Sequence, residues 1–236
     1  MKWWYTFRLT DTLPKAVRHN SSLFPNNFID FFDLKQNKEM LHKQVDGFEK
    51  LLDKSTTGER QILSYINEGN YHIAASIMRE FNFGHHDIFL FKEFQLGVSY
   101  KVDYLLIGRA SGGYQFVYVE FESNKGRITN KDGKFGEVPR KGIDQISDWK
   151  KWFSKSYPSL KEVFDKARNK NSLLPDEFYE MDITRLHYVV LAGRREDFDD
   201  EANYIRRRVE KENDIKILHY DNLIDIARNA IGENTY

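Results

Sequence analysis

The sequence predicts a mixed α/β fold, a β-sheet flanked by helices with a small helical and aromatic N-terminal extension. Three observations predict it. Apolar residues recur at helical spacing from 37 to 81, two short β-branched and aromatic runs then flank Gly112-Gly113, and strand-like and helical segments alternate to the end. No internal repeat or low-complexity tract interrupts that order. At 236 residues the chain suits one sizeable domain with an addition in front, divided here as 1–54 and 55–236.

Composition bounds the chemistry. A content of 40% hydrophobic and 15% aromatic residues suffices for a folded core. Lys plus Arg and Asp plus Glu are both 36, so any phosphate-binding surface must arise from local segregation of charge. The absence of cysteine excludes disulfide scaffolds, thiolate zinc sites and cysteine nucleophiles together. Met1-Lys2-Trp3-Trp4-Tyr5-Thr6-Phe7-Arg8 lacks the apolar run of a signal peptide, and no stretch reaches membrane-spanning length. A cytoplasmic protein without a membrane partner is the expectation.

In order, residues 1 to about 35 are aromatic-rich, with Trp3, Trp4, Tyr5 and Phe7, then Phe24, Phe28, Phe31 and Phe32 around Pro25-Asn26-Asn27. They read as a short strand and a turn-and-helix piece packed on the main domain, more as core than as a base-stacking surface. Met40, Leu41, Val45, Phe48, Leu51 and Leu52 give an amphipathic helix over 37–54. Ser55-Thr56-Thr57-Gly58 breaks it, and Thr56 or Thr57 caps the helix from Glu59 to Asn67. A further helix runs from about His72 to Phe81. His85-His86 in the following loop lacks a third ligand at metal spacing.

Ile88 to Leu96 is a strand leading into a hairpin: Lys101 to Gly108, a turn around Gly112-Gly113, then Gln115 to Glu122. Strand alternation puts Glu120 and Glu122 on one side, roughly 7 Å apart, with Val117, Val119 and Phe121 on the other. Val102, Tyr104 and Leu106 share a face and Asp103 takes the opposite one, so three acids converge on an otherwise apolar sheet. Two carboxylates about 5 Å apart repel by roughly 3 kcal/mol at an effective dielectric near 20. A hard cation such as Mg²⁺ relieves this, taking one or two carboxylates plus water and phosphate oxygens, and Asp103 with Glu120 can supply them. The alternative for each acid singly is a solvated residue on a one-sided sheet.

After Glu122 comes a polar loop read as long and flexible, whose Lys125, Arg127, Lys131 and Lys134 are candidate phosphate contacts or simply solvated charges. Pro139 opens a helix to about Ser154, with Ile143, Ile146, Trp149 and Phe153 as its buried stripe and Lys141, Gln145 and Trp149 lined up beside it. A helix-rich segment spans about 159–179, broken near Pro175. Leu186 to Leu191 is a strand, Glu196 to Asn213 a charged helix, Ile215 to His219 a last strand and Asp221 to Ala230 a closing helix. Arg206-Arg207-Arg208 on the charged helix is a phosphate-binding candidate or a solvated face.

Together these features resemble the PD-(D/E)XK nuclease superfamily: an acid on one strand, Glu-x-Glu on the next, a Gln-bearing helix after it and an acid-bearing helix before it. Glu59-Arg60-Gln61-Ile62-Leu63, Val102-Asp103-Tyr104-Leu105-Leu106, Val119-Glu120-Phe121-Glu122 and Ile143-Asp144-Gln145-Ile146 are similar to the C-terminal nuclease domain of Shedu antiphage defence proteins, over roughly 55–225. The resemblance implies a restriction-endonuclease-like core, Mg²⁺ or Mn²⁺ as cofactor, DNA as partner and a homo-oligomer. It implies that Asp103 and Glu120 hold the metal with the Phe121 carbonyl as third ligand and Glu59 as outer ligand, and that Gln145 orients a ligand or the scissile phosphate. Arg140 and Lys141 are then the backbone contacts. The departure is Glu122, where the superfamily has Lys. Either Glu122 binds a second cation or acts on the water, or the Lys role has moved to Lys101, Lys125 or Lys141, or only a binding shell remains. An RNA-processing enzyme differs from this reading in substrate alone.

Overall fold

The computed structural model describes residues 13–81, 87–130 and 132–236. The expectations for Trp3, Trp4, Tyr5 and Phe7, for His85-His86 and for Lys131 fall outside those residues. In chain order the elements are α1 (Pro14–Ser21), α2 (Asp33–Gln36), α3 (Lys38–Leu52), α4 (Glu59–Asn67) and α5 (Tyr71–Ala75), then β1 (Asp87–Leu96), β2 (Tyr100–Ala110) and β3 (Gly113–Phe121). They continue with α6 (Glu137–Ser156), α7 (Leu160–Ala167), β4 (Leu186–Leu191), α8 (Asp200–Asn213), β5 (Lys216–Leu218) and α9 (Tyr220–Ala230).

The five strands lie in the order β1-β2-β3-β4-β5. β1, β2 and β3 are antiparallel neighbours, as the hairpin reading requires, and β3, β4 and β5 are parallel. The β2–β3 turn closes with Ala110 opposite Gly113, whose φ of 103° is a backbone conformation that favours glycine. Parallel pairing obliges the chain to cross over, through α6 and α7 before β4 and through α8 before β5, and helices therefore cover both faces. On one face Leu105, Ile107, Phe116, Tyr118 and Val190 pack with Trp149, Phe153 and Phe164. On the other, Leu106, Val117, Val119 and Val189 pack with Phe48, Ile66, Tyr220 and Leu223. Phe48 lies on α3, so that helix of the N-terminal segment shares a core with the sheet.

Several local expectations change. Gly58, not Thr56 or Thr57, caps α4: its N–H donates to Gln61 Oε1 (2.7 Å), while the Thr57 hydroxyl turns back to the Leu51 carbonyl. The helix expected from His72 to Phe81 is α5 followed by a 3₁₀ turn over Ser76–Glu80. Between α7 and β4 the chain is irregular except for 3₁₀ turns at Asp176–Phe178 and Ile183–Arg185. The loop read as flexible is anchored. Ile128 and Phe135 are buried, Thr129 bridges Phe135, and the Gly136 N–H donates to the Ile128 carbonyl (2.7 Å). Two apolar anchors set among cations were the available signal. In α6, Gly142 and Pro139 join the buried stripe and Ile143 is only partly buried.

The strand alternation also slips. Phe89 and Phe91 share a face with Phe94 and Leu96, because Glu93 between them adopts a left-handed φ of 49°. β2 follows its partner: Val102 lies with the α6 side, whereas Tyr104 and Leu106 lie with the α9 side, contrary to the shared face expected for all three. Asp103 sits at the slip.

Phe24 is fully buried, with ring centroids 5.1–5.8 Å from Phe89, Phe91, Phe164 and Phe178, so this N-terminal aromatic is core. Phe24→Ala is expected to cost about 3–5 kcal/mol in denaturant unfolding. Val98→Ala, at a fully exposed hairpin tip, is expected to cost less than about 0.5 kcal/mol. Equal losses at the two positions would contradict the assignment of the core.

Candidate active site

The acids gather where β2 and β3 part. Tyr104↔Val119 is the last pair of that ladder, and Asp103 Oδ2 then accepts a hydrogen bond from the Phe121 N–H (2.8 Å), a side chain doing what backbone does elsewhere in the ladder. On its other edge β3 stays paired with β4, Glu120 opposite Val190, and the Glu122 N–H donates to the Leu191 carbonyl (2.8 Å). A central strand held on both sides thus presents Glu120 and Glu122 where each is almost wholly buried, 5% and 2% exposed. Glu120 Oε2 and Glu122 Oε1 have no hydrogen-bond partner. Orphaned carboxylate oxygens are costly in an interior and call for a cation or a proton.

Helices complete the cluster. Glu59 opens α4 behind its Gly58 cap, and Lys141 in α6 places Nζ 2.8 Å from Glu122 Oε2 and 3.5 Å from Glu59 Oε2. Gly142 permits that approach: a Cβ there would lie 2.8 Å from Val190 Cγ1 and 3.3 Å from Glu122 Cγ. From α9 the buried Tyr220 hydroxyl donates to the Glu122 carbonyl (2.5 Å), fixing the turn-out of β3. A glycine inside an amphipathic helix was the signal for Gly142. Tyr220, far along the chain, left none.

The three acids expected to converge do lie within reach of one another's charge, but they do not act as one donor set. Among the described residues no three acidic or imidazole side chains form a metal-holding group. Glu122 turns to Lys141, while Asp103 and Glu120 have no ion-pair partner among the described residues. Two carboxylates with an unsatisfied buried oxygen are nevertheless what a largely hydrated Mg²⁺ requires. Of the three candidates for the missing lysine, Lys101 pairs with Glu93 (2.6 Å) and Lys125 donates to the carbonyls of Lys54 and Thr57; Lys141 alone touches the acids. Gln145 is half-buried one turn beyond Lys141, and Arg127 and Arg140 are exposed. Within α8, Arg206 rests over Phe198 and Arg208 pairs with Glu212, a largely solvated face. A cleft of about 420 Å³, lined in part by Glu59, Arg60, Lys101 and Asp103, opens beside the cluster.

Burial raises the Asp103 carboxyl to about 7 against the Phe121 hydrogen bond, with Glu59 and Glu122 adding to the rise. Burial, then Asp103 and Glu122, raises Glu120 to about 9. Glu122 is raised by burial and held back by Lys141. Burial works to lower the Lys141 ammonium, but the hydrogen bond and charge of Glu122, with Glu59, make the net shift upward. Both shifts favour the protonated forms of the Asp103–Glu120 pair, so proton and cation would compete for it.

The family described as Shedu protein SduA, C-terminal, matches residues 34–224, well over half of the chain. No curated protein matches it. Among the described residues no helix is long and apolar enough to cross a membrane.

The raised carboxyls fix the sign of a pH dependence. A folded state that keeps protons the unfolded chain has lost gains stability below the ordinary carboxylate range and loses it as pH rises toward about 9. The metal-free protein is expected to melt at a lower temperature at pH 9 than at pH 6, and Glu120→Gln to flatten that slope. A slope unchanged in Glu120→Gln would refute the burial of this charge.

Proposed function

The chain belongs to the family of Shedu SduA C-terminal domains, and from that premise we propose that it is a metal-dependent DNA endonuclease acting in antiphage defence. One observation carries the reading: the buried Glu120 carboxylate, one oxygen unpartnered, beside Asp103 at the edge of a cleft. A binding surface for polyanions would be better served without buried acids, since each repels phosphate.

Asp103 and Glu120 would hold Mg²⁺, with the Phe121 carbonyl and Glu59 as the further oxygen donors of the site. A dication held there would supply Lewis acidity toward a phosphoryl oxygen and lower the pKa of a bound water. Glu122 takes the proton of the attacking water, kept ionised by the ammonium of Lys141. Lys141, itself half exposed, faces the substrate side and can meet the scissile phosphate. Gln145, on the same helical face, orients the phosphate or a ligand. Arg127 and Arg140, exposed near that helix start, contact the phosphate backbone and fix register without reading sequence.

Plasmid nicking in Mg²⁺ tests the reading. Cleavage is expected to stop with EDTA and to fall by on the order of 10²-fold or more in Asp103→Ala. Undiminished nicking by Asp103→Ala would remove the mechanism, and no nicking by wild type under any dication would favour a catalytically silent nucleic-acid-binding or assembly module. Competition between DNA and RNA substrates separates the endonuclease from an RNA-processing enzyme.

For Arg140→Ala, DNA affinity is expected to weaken uniformly across sequences and the log–log salt slope to shrink by about 1. An unchanged slope would take Arg140 out of the interface.

A further inference from the structure

Two carboxylates of the cluster do not belong to the Asp103–Glu120 pair. Glu122, from the end of β3, and Glu59, from the first turn of α4, are joined by one ammonium, with Lys141 Nζ 2.8 Å from the first and 3.5 Å from the second. Two-cation phosphodiesterases hold their ions about 3.5–4 Å apart between shared carboxylates. Here one half of such a site is a pair of acids with no ion-pair partner among the described residues, and the other half is already neutralised by a side chain, although Glu122 Oε1, like Glu120 Oε2, has no hydrogen-bond partner.

We infer that Lys141 occupies the place of a second dication, so that the site takes a single divalent ion, between Asp103 and Glu120. The inference rests on the metal-dependent reading above and says how many ions that site accepts. Three observations carry it. The two acids that a second ion would need, Glu122 and Glu59, are both already contacted by the Lys141 ammonium. Gly142 lets α6 approach Glu122 so closely that the Lys141 backbone is fixed against β4, so its ammonium is delivered by the fold. A dication ligated by Glu122 would share an oxygen environment with that ammonium, like charges at ligand distance with only two acids to offset them.

Replacing the ammonium should therefore open a second ion site. Mn²⁺ titration by calorimetry, with electron paramagnetic resonance of the bound ions, reads this without reference to cleavage. Wild type and Lys141→Arg are expected to bind one uncoupled Mn²⁺ per chain. Lys141→Met is expected to bind two, spin-coupled to each other, through the released Glu122 and Glu59. Glu122→Gln, which leaves the Asp103–Glu120 pair intact, is expected to keep one. Two ions in wild type, one ion in Lys141→Met, or loss of the ion in Glu122→Gln would each overturn the inference and leave the metal-dependent reading standing. A wild type that binds no ion would overturn that reading itself. Circular dichroism establishes that each variant is folded, and if Lys141→Met is not, Lys141→Gln replaces it with the same expectation.

Discussion

The desolvation of Glu120 is the constraint on which the rest of the structure turns. A carboxylate at the end of the central strand, 5% exposed and with one oxygen unpartnered, is held against both its own hydration and the charge of Asp103. Nothing local would keep it there. It is kept because β3 is paired on both edges and packed on both faces, so moving Glu120 to water would mean breaking a ladder and two cores. The binding energy of the sheet is the source of the strain at its end.

The surrounding elements each moderate that strain in a different way. The Phe121 N–H stabilises the ionised form of Asp103, but by less than burial opposes it. Lys141 neutralises Glu122, and the glycine beside it is what brings the helix within reach. Tyr220 fixes the backbone of Glu122 from the opposite layer. What remains uncompensated is the Asp103–Glu120 pair, and it lies beside the cleft that contains Asp103 and Glu59. Glu122 and Glu59 share an ammonium whereas Asp103 and Glu120 have no ion-pair partner among the described residues, so attraction for a cation is greatest between those two.

The slip of alternation at Glu93 belongs to the same arrangement. Without it Asp103 would project squarely from one face of β2, into the packed layer of α6. With it the side chain reaches across to β3 at the point where the strands part, and the carboxylate meets both a backbone donor and its acidic neighbour. A left-handed residue on the partner strand thus positions an acid that it does not touch through any ordinary ladder pair.

Read alone, the sequence determined the sheet's hairpin, its turn at Gly113, the helical stripes and the acids at the hairpin's far end, because each is written in periodicity or in residues close together along the chain. It also left the replacement for the missing lysine open among Lys101, Lys125 and Lys141. Only the tertiary structure decided that Lys141 reaches the acids, that Glu122 faces an ammonium, that Tyr220 braces the strand end and that the loop after Glu122 is anchored. Those outcomes depend on distances between layers and on a backbone conformation at Glu93, and neither leaves a periodic trace in the order of residues.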